Sequence, residues 1–289
     1  MDQERNESVK IELDGIAFSL REEADFSWLR GYGKVFWVQD QLTSGNLCFG
    51  VEGPYGKLFI KYAGAQPVNY AGRPEDAVYI LQNAIPVYQE CAHGALNALR
   101  AHGKIGQGYA AIFTWQEGKP LRPIPSEDDQ TLQRVRRLQV GRSLRMLDGI
   151  FDFHALAASA GYIDADPSET NLLIDFDRDA AVVCDIDLYR KKPAFNDRGR
   201  MPGSSLLMAP EEYTLGAPLD ESTTVYHLGA LAFTFYGDNT DRVRSRWHGP
   251  AALFDVAEKA TREKREDRYP SVRAFVKNWR EAVGKSTIR

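Results

Sequence analysis

Asp166-Pro-Ser-Glu-Thr-Asn171, running into Leu172-Leu-Ile-Asp175, Phe176-Asp-Arg-Asp179 and Ala180-Ala-Val-Val-Cys184-Asp185, decides how this chain is read. Two short apolar runs flank a tetrapeptide of turn formers, the pattern of a β-hairpin. If the runs pair antiparallel, Asn171 before the first and Asp185 after the second emerge side by side at the open end. Asp166 lies five residues upstream of Asn171, on the approach to that end. Two carboxylates and an amide oxygen then converge, a hard oxygen set suited to Mg2+ shared with phosphate oxygens.

Upstream, from Ile11 to about Tyr62, short β-branched and aromatic runs are broken at Ser44-Gly-Asn and Gly53-Pro-Tyr-Gly56, which reads as an antiparallel meander. Pro74-Glu-Asp opens a helix, because proline fits the first turn and acids suit its dipole. Pro86 is expected to interrupt that helix, since it cannot donate to the preceding turn. Tyr109–Trp115 reads as a further strand, closed by Glu117-Gly118. Beyond it the period becomes helical. Ser126-Glu-Asp-Asp129 is a capping-box pattern, followed by Leu132, Val135 and Leu138, then Leu144, Leu147, Ile150, Phe151 and His154. Further helices are expected over Val225–Phe235, Ala251–Lys259 and Val272–Val283. The fold class read from this pattern is α+β, with a strand-rich portion over 1–117 and a helical one over 118–289. Gly118, Pro120, Pro123 and Pro125 cluster at the boundary.

The 289 residues carry 36 Lys plus Arg against 40 Asp plus Glu, a net charge of −4, which excludes a general electrostatic nucleic-acid binder. No segment approaches the roughly 20 apolar residues of a membrane helix, the richest being Leu228–Tyr236. The polar start, Met1–Lys10, has no apolar signal region. Cys48, Cys91 and Cys184 are odd in number and scattered, which excludes a disulfide framework or zinc knuckle and makes the reducing cytoplasm the expected setting. His93, His154, His227 and His248 have no metal-like spacing and read as core or surface residues.

On these residues the chain resembles the protein-kinase superfamily, from about Leu29 to Trp279. Asp166 to Asn171 is similar to the catalytic-loop Asp, four residues and Asn, and Asp185-Ile-Asp187 stands where Asp-Phe-Gly belongs. Gly203-Ser-Ser-Leu-Leu-Met-Ala-Pro-Glu211 resembles the Gly-Thr-x-x-Tyr-Met-Ala-Pro-Glu that closes the activation segment of Ser/Thr kinases. Leu58-Phe-Ile-Lys61 resembles Val-Ala-Ile-Lys, and Gly31-Tyr-Gly33 with Val38 resembles part of the glycine-rich loop. Ala111–Gly118 is similar to the strand entering the interlobe hinge, and Asp267-Arg-Tyr-Pro270 to the segment whose Arg pairs with the Glu of Ala-Pro-Glu.

The resemblance implies a bilobal protein-kinase-like fold and an ATP- and Mg2+-dependent phosphotransferase, with Ser or Thr hydroxyls of a protein as acceptor. It implies that Lys61 holds the α and β phosphates, that Asn171 and Asp185 ligate Mg2+, and that Asp166 orients the hydroxyl and accepts its proton. Gly31, Gly33 and Val38 would cover the phosphates, and adenine would lie near Thr114, Trp115 and Gln116 with Phe113 behind it. Glu211 and Arg268 would form a buried ion pair. An aminoglycoside-type small-molecule kinase and a nucleotide-binding pseudokinase scaffold are the alternative readings. The family's His-Arg is replaced by Asp164-Ala165, which removes the Arg that would meet an activation-loop phosphate. Ser168 replaces the catalytic-loop Lys, Asp187 replaces the Gly after the metal-binding Asp, and Phe36 takes the third glycine position. Thr224 stands where a helix normally begins with Asp. Ala84 stands where a helix Glu should pair with Lys61, leaving Glu75 and Glu90 as substitutes.

Overall fold

The computed structural model describes residues 8–122 and 130–287, so the tetrapeptide 126–129 lies outside the described residues. The fold is α+β, strand-rich in its N-terminal region and helical in its C-terminal part. The chain divides into two compact units. The first holds the residues up to Gln89 together with Asn97–Gln116, and the second holds Glu90–Leu96 and the residues from Glu117 onward.

In the first unit, β1 (Val9–Leu13) and β2 (Ile16–Leu20) form a hairpin turning at Asp14-Gly15. Five further strands, β3 (Lys34–Gln39), β4 (Asn46–Gly53), β5 (Gly56–Ala63), β6 (Leu99–Ile105) and β7 (Gly108–Thr114), make an antiparallel sheet in the order β3-β4-β5-β7-β6. Alternation along the strands gives this sheet two apolar faces. Leu47, Phe49, Leu58, Ile60 and Ile112 point one way, into a core closed by Phe18, Leu20, Phe26 and Leu29. Phe113 belongs to the other face, where α1 (Pro74–Glu90) sets Tyr88 edge-on to its ring at 4.9 Å.

Two expectations change here. Helix α1 runs through Pro86. Pro86 removes one backbone donor, but Ala84, Ile85, Val87 and Tyr88 are all buried, and their packing holds the last turn in place. Strand β6 went unread because Leu99-Arg-Ala-His-Gly-Lys-Ile105 carries little apolar surface, as suits an edge strand.

In the second unit, β8 (Lys119–Pro120) pairs with β10 (Leu172–Asp175), which pairs with β11 (Ala180–Val183). Two two-stranded fragments follow from β9 (Tyr162–Ile163), β12 (Arg190–Lys191), β13 (Ala194–Phe195) and β14 (Pro218–Leu219), with β9 joined to β12 and β13 to β14. The helices are α2 (Thr131–Arg136), α3 (Val140–Ser159), α4 (Glu221–Tyr236), α5 (Ala251–Ala260) and α6 (Val272–Thr287). Helix α4 is apolar nearly all round and buried, as a central helix must be. Trp279 of α6 packs edge-on to Phe151 of α3 at 5.2 Å.

Glu211 and Arg268 meet in this unit as a bidentate pair at 2.8 and 2.9 Å. The remaining guanidinium donors reach the carbonyls of Arg262, Ser222 and Glu263, so every N–H of Arg268 is satisfied. Burial alone would raise the Glu211 carboxyl, but Arg268 holds it below the usual range. Arg268→Ala strands that carboxylate, a loss that typically costs about 3–5 kcal/mol. Calorimetry should then show melting lowered by roughly 6 °C or more. A variant melting within a degree of wild type would contradict the burial of the pair.

Candidate functional site

The hairpin forms because Asp175 accepts the N–H groups of Asp177 and Arg178 at 2.9 and 3.1 Å, closing the turn, and Asp179 adopts a left-handed conformation. Register pairs Leu172 with Val183, and Cys184 donates its N–H to the Asn171 carbonyl at 2.8 Å. Asn171 and Asp185 thus leave the hairpin together. The Asn171 amide nitrogen donates to the Asp166 carbonyl at 3.2 Å, which commits that nitrogen and fixes the orientation of the amide. Asp187 donates its N–H to Asp185 Oδ1 at 3.1 Å. Asp164, Asp166, Asn171 and Asp185 all line one cavity of about 30 Å3, room for one or two waters.

Asp166 is the most perturbed of these groups. Burial, reinforced by the charges of Asp164, Asp185, Asp187 and Glu212, pushes its carboxyl up to about 7. Its N–H donates to Asp164 Oδ1 at 3.0 Å. Three residues away Glu169 is buried, and burial raises its carboxyl as well. The segment Gly203–Glu211 docks on this loop: Ser204 donates to the Pro167 carbonyl at 2.7 Å. Gly203 has φ 119°, and a Cβ there would stand 2.8 Å from that same oxygen, so only glycine allows the approach.

Two histidines, read from the chain as core or surface residues, adjoin the same cavity. His154 Nδ1 lies 2.8 Å from the Ile150 carbonyl, and its Nε2 lies 2.9 Å from the Tyr189 hydroxyl. His227 Nε2 lies 2.6 Å from Glu212 Oε2. Asp164 Oδ2 stands 3.8 Å from both rings. Their spacing in the chain matches no motif; only the tertiary fold brings them together.

The first unit holds the other expected residues. Lys61 is buried on β5, paired through the backbone with Cys48 and Ala111. Val38 lies on β3, and Phe113 and Thr114 end β7. The N–H groups of Thr114 and Trp115 are committed to the Ala98 and Lys57 carbonyls at 3.1 and 3.2 Å, and the Gln116 side chain bonds Asn97 at 3.2 Å. Gly31 ends a short 3-10 turn, and Gly33 precedes β3 with φ 137°. A Cβ on Gly33 would stand 2.2 Å from the Glu52 carbonyl, so that glycine serves a crossing of strand ends. Both lie at the opposite end of β3 from the 40–45 connection to β4, whereas Lys61 is level with Gln39 through Cys48. The structure therefore does not bring Gly31 and Gly33 beside Lys61; the loop at that end is Asp40-Gln-Leu-Thr-Ser-Gly45. Ala84 is buried, Glu75 is exposed in the first turn of α1, and Glu90 pairs with Lys191 at 3.3 Å.

No protein-family model and no curated protein matches the chain. Among the described residues no helix is long and apolar enough to cross a membrane, and no group of three or more His, Cys, Asp or Glu is placed to hold a metal ion. Asn171 with Asp185 remains a fit for Mg2+, which binds through one or two protein groups when phosphates supply the rest.

Because its folded value lies above the ordinary 3.8, Asp166 weighs against folding once it ionises, not at all in acid and fully above about pH 7. Each unit is worth about 1.4 kcal/mol. Asp166→Asn should leave the melting temperature unchanged at pH 4 and raise it at pH 8, read by thermal unfolding across that range.

Proposed function

We propose that the chain is an ATP- and Mg2+-dependent, protein-kinase-like phosphotransferase moving the γ-phosphoryl group to a Ser or Thr hydroxyl of a protein. The observation that carries this reading is the convergence of Asp166, Asn171 and Asp185 at the mouth of one hairpin, with Asp166 partly buried and shifted toward neutrality. Such a carboxyl both accepts and returns a proton near pH 7, the property wanted of the group that orients an attacking hydroxyl. Asn171 and Asp185 would hold the magnesium ion, which supplies charge neutralisation to the phosphates. Lys61 stands within the third strand of the five-stranded sheet, the context that a phosphate-pairing Lys of the Val-Ala-Ile-Lys type requires. The docking of Gly203–Glu211 on the Asp166 loop supports a protein acceptor over a small molecule. The three free cysteines support a cytoplasmic setting.

One feature favours the scaffold reading. Phe59 stands at the small-residue position of Leu58-Phe-Ile-Lys61, and its ring joins Phe113 at 6.0 Å and Trp37 at 6.3 Å, with Trp115 5.7 Å from Trp37. Rings that fill this sheet face narrow the room for a purine.

The test is incubation with γ-labelled ATP and Mg2+, scoring autophosphorylation, transfer to a basic protein and transfer to an aminoglycoside panel. Label on protein is expected, lost in Asp185→Asn, which removes a metal carboxylate at constant volume. Thermal shift should show ATP stabilising wild type more with Mg2+ than with EDTA. Stabilisation without transfer would select the scaffold, and label on drug alone the small-molecule kinase.

A further inference from the structure

We infer that His227 is a positioning residue whose doubly protonated ring, held between Glu212 and Asp164, locks the Asp166 loop and the 203–212 segment onto helix α4. The inference rests on the phosphotransferase reading for its consequence in turnover, and on hydrogen-bond chemistry for the lock itself.

Glu212 is fully buried. Its Oε2 accepts from the Ala209 N–H at 2.6 Å and faces His227 Nε2 at the same distance, while Oε1 has no partner. On its other side the ring presents Nδ1 to Asp164 Oδ2 at 3.8 Å, and Nδ1 has no hydrogen-bond partner. A neutral imidazole has one N–H. Given to Glu212, it would leave a nitrogen lone pair aimed at a buried carboxylate. With a hydrogen-bonding carboxylate at Nε2 and the charge of a second carboxylate facing Nδ1, the imidazolium suits both sides.

Asp164 has a second imidazole at the same distance, His154 Nε2 at 3.8 Å, whereas Glu212 has His227 alone among the described residues. Arg268 is spent on Glu211. His154 meets the Ile150 carbonyl at Nδ1 and the Tyr189 hydroxyl at Nε2, and no ion pair joins it to Glu212 among the described residues. The charged groups facing His227 are therefore Glu212 and Asp164, with Glu211 beyond. Burial alone would lower the ring, but Glu212 and then Asp164 and Glu211 raise it above its ordinary 6.5. Burial would likewise raise Asp164, yet the two histidines hold it below the usual carboxylate range.

Three elements meet at the ring. Glu212 fixes Ala209 within the segment that docks on Pro167, and its own carbonyl accepts the Met201 N–H at 2.9 Å. Asp164 fixes the Asp166 backbone. His227 itself sits on α4, the most buried helix of the unit. Removing its charge leaves two buried carboxylates unbalanced and frees the loop that carries Asp166.

The raised value places the ring's contribution to stability in full below about pH 6.5 and removes it as pH climbs through the folded value. Two-dimensional 15N spectra of the wild-type imidazoles at pH 7.5 are expected to show His227 protonated at both nitrogens. His227→Gln, which keeps a donor toward Glu212 but no charge, should lower the melting temperature more at pH 6 than at pH 9. A singly protonated ring at pH 7.5, or an equal loss at both pH values, overturns the lock. If His227→Gln does not fold, Asp164→Asn serves instead, and His227 should then lose its second proton at lower pH than in wild type; an unmoved titration overturns the lock. In an enzyme that transfers phosphate, either variant should lower kcat by about tenfold or more with KM for ATP little changed, since Lys61, Asn171 and Asp185 are untouched. An unchanged kcat overturns the positioning role. A wild type that transfers nothing overturns the phosphotransferase reading, and the spectra and melting then decide the lock alone.

Discussion

Negative charge taken out of water is the constraint around which the second unit is arranged. Asp164, Asp166, Glu169, Glu211 and Glu212 are all wholly or largely buried. A buried carboxylate survives only with a cation, with donated hydrogen bonds, or by keeping its proton. All three solutions occur. Glu211 has a guanidinium with every donor satisfied. Glu212 has a backbone N–H and an imidazole. Asp166 and Glu169 hold their protons more tightly than an exposed acid would. The solutions differ in rigidity: a bidentate Arg fixes geometry, whereas a carboxyl near neutrality is suited to gaining and losing a proton. The pair that anchors the fold and the group fitted for chemistry are thus told apart by how each burial is compensated.

That division also explains what was legible beforehand. The hairpin was legible because two apolar runs around Asp175–Asp179 admit one register, and the register places Asn171 and Asp185 together whatever the rest of the chain does. The Glu211–Arg268 pair followed from a resemblance in local motifs far apart in the chain. His227 did not follow from anything local. It stands on a helix whose neighbours are almost all apolar, and its partners come from segments 15 and 63 residues away, Glu212 and Asp164. The acidity of Asp166 was hidden for the same reason, being a sum over burial and four charges.

The first unit shows a different limit. A glycine pair near a strand reads the same whether it serves a ligand or a backbone crossing. Gly33 serves a crossing, against Glu52 and Gly53. The glycine in the connection from β3 to β4 is Gly45, where a Cβ would stand 2.7 Å from Tyr70 and Ala77. Gly50 is likewise required by packing, because a side chain there would collide with Phe36 and Trp115 at 2.8 Å. Sequence alternation gave the strands but could not rank two apolar faces, since both are covered, one by the β1–β2 hairpin region and one by α1.

Two departures from the kinase pattern that look in sequence like separate losses become connected once charge is followed. The resembled family has a basic pair at positions 164–165 and an acid at 224; this chain has Asp164, Ala165 and Thr224. Thr224 lies on the same face of α4 as His227, one turn away, and its hydroxyl is buried without a partner. A carboxylate there would add another buried negative charge to a unit that already buries Asp164, Glu211 and Glu212. The acid sits instead on the loop, as Asp164, and a base sits on the helix, as His227, at 3.8 Å. Loop and helix thus face each other through an acid and a base, Asp164 and His227. The 203–212 segment is held from within by Glu212, whose carboxylate accepts the Ala209 N–H and whose carbonyl accepts the Met201 N–H.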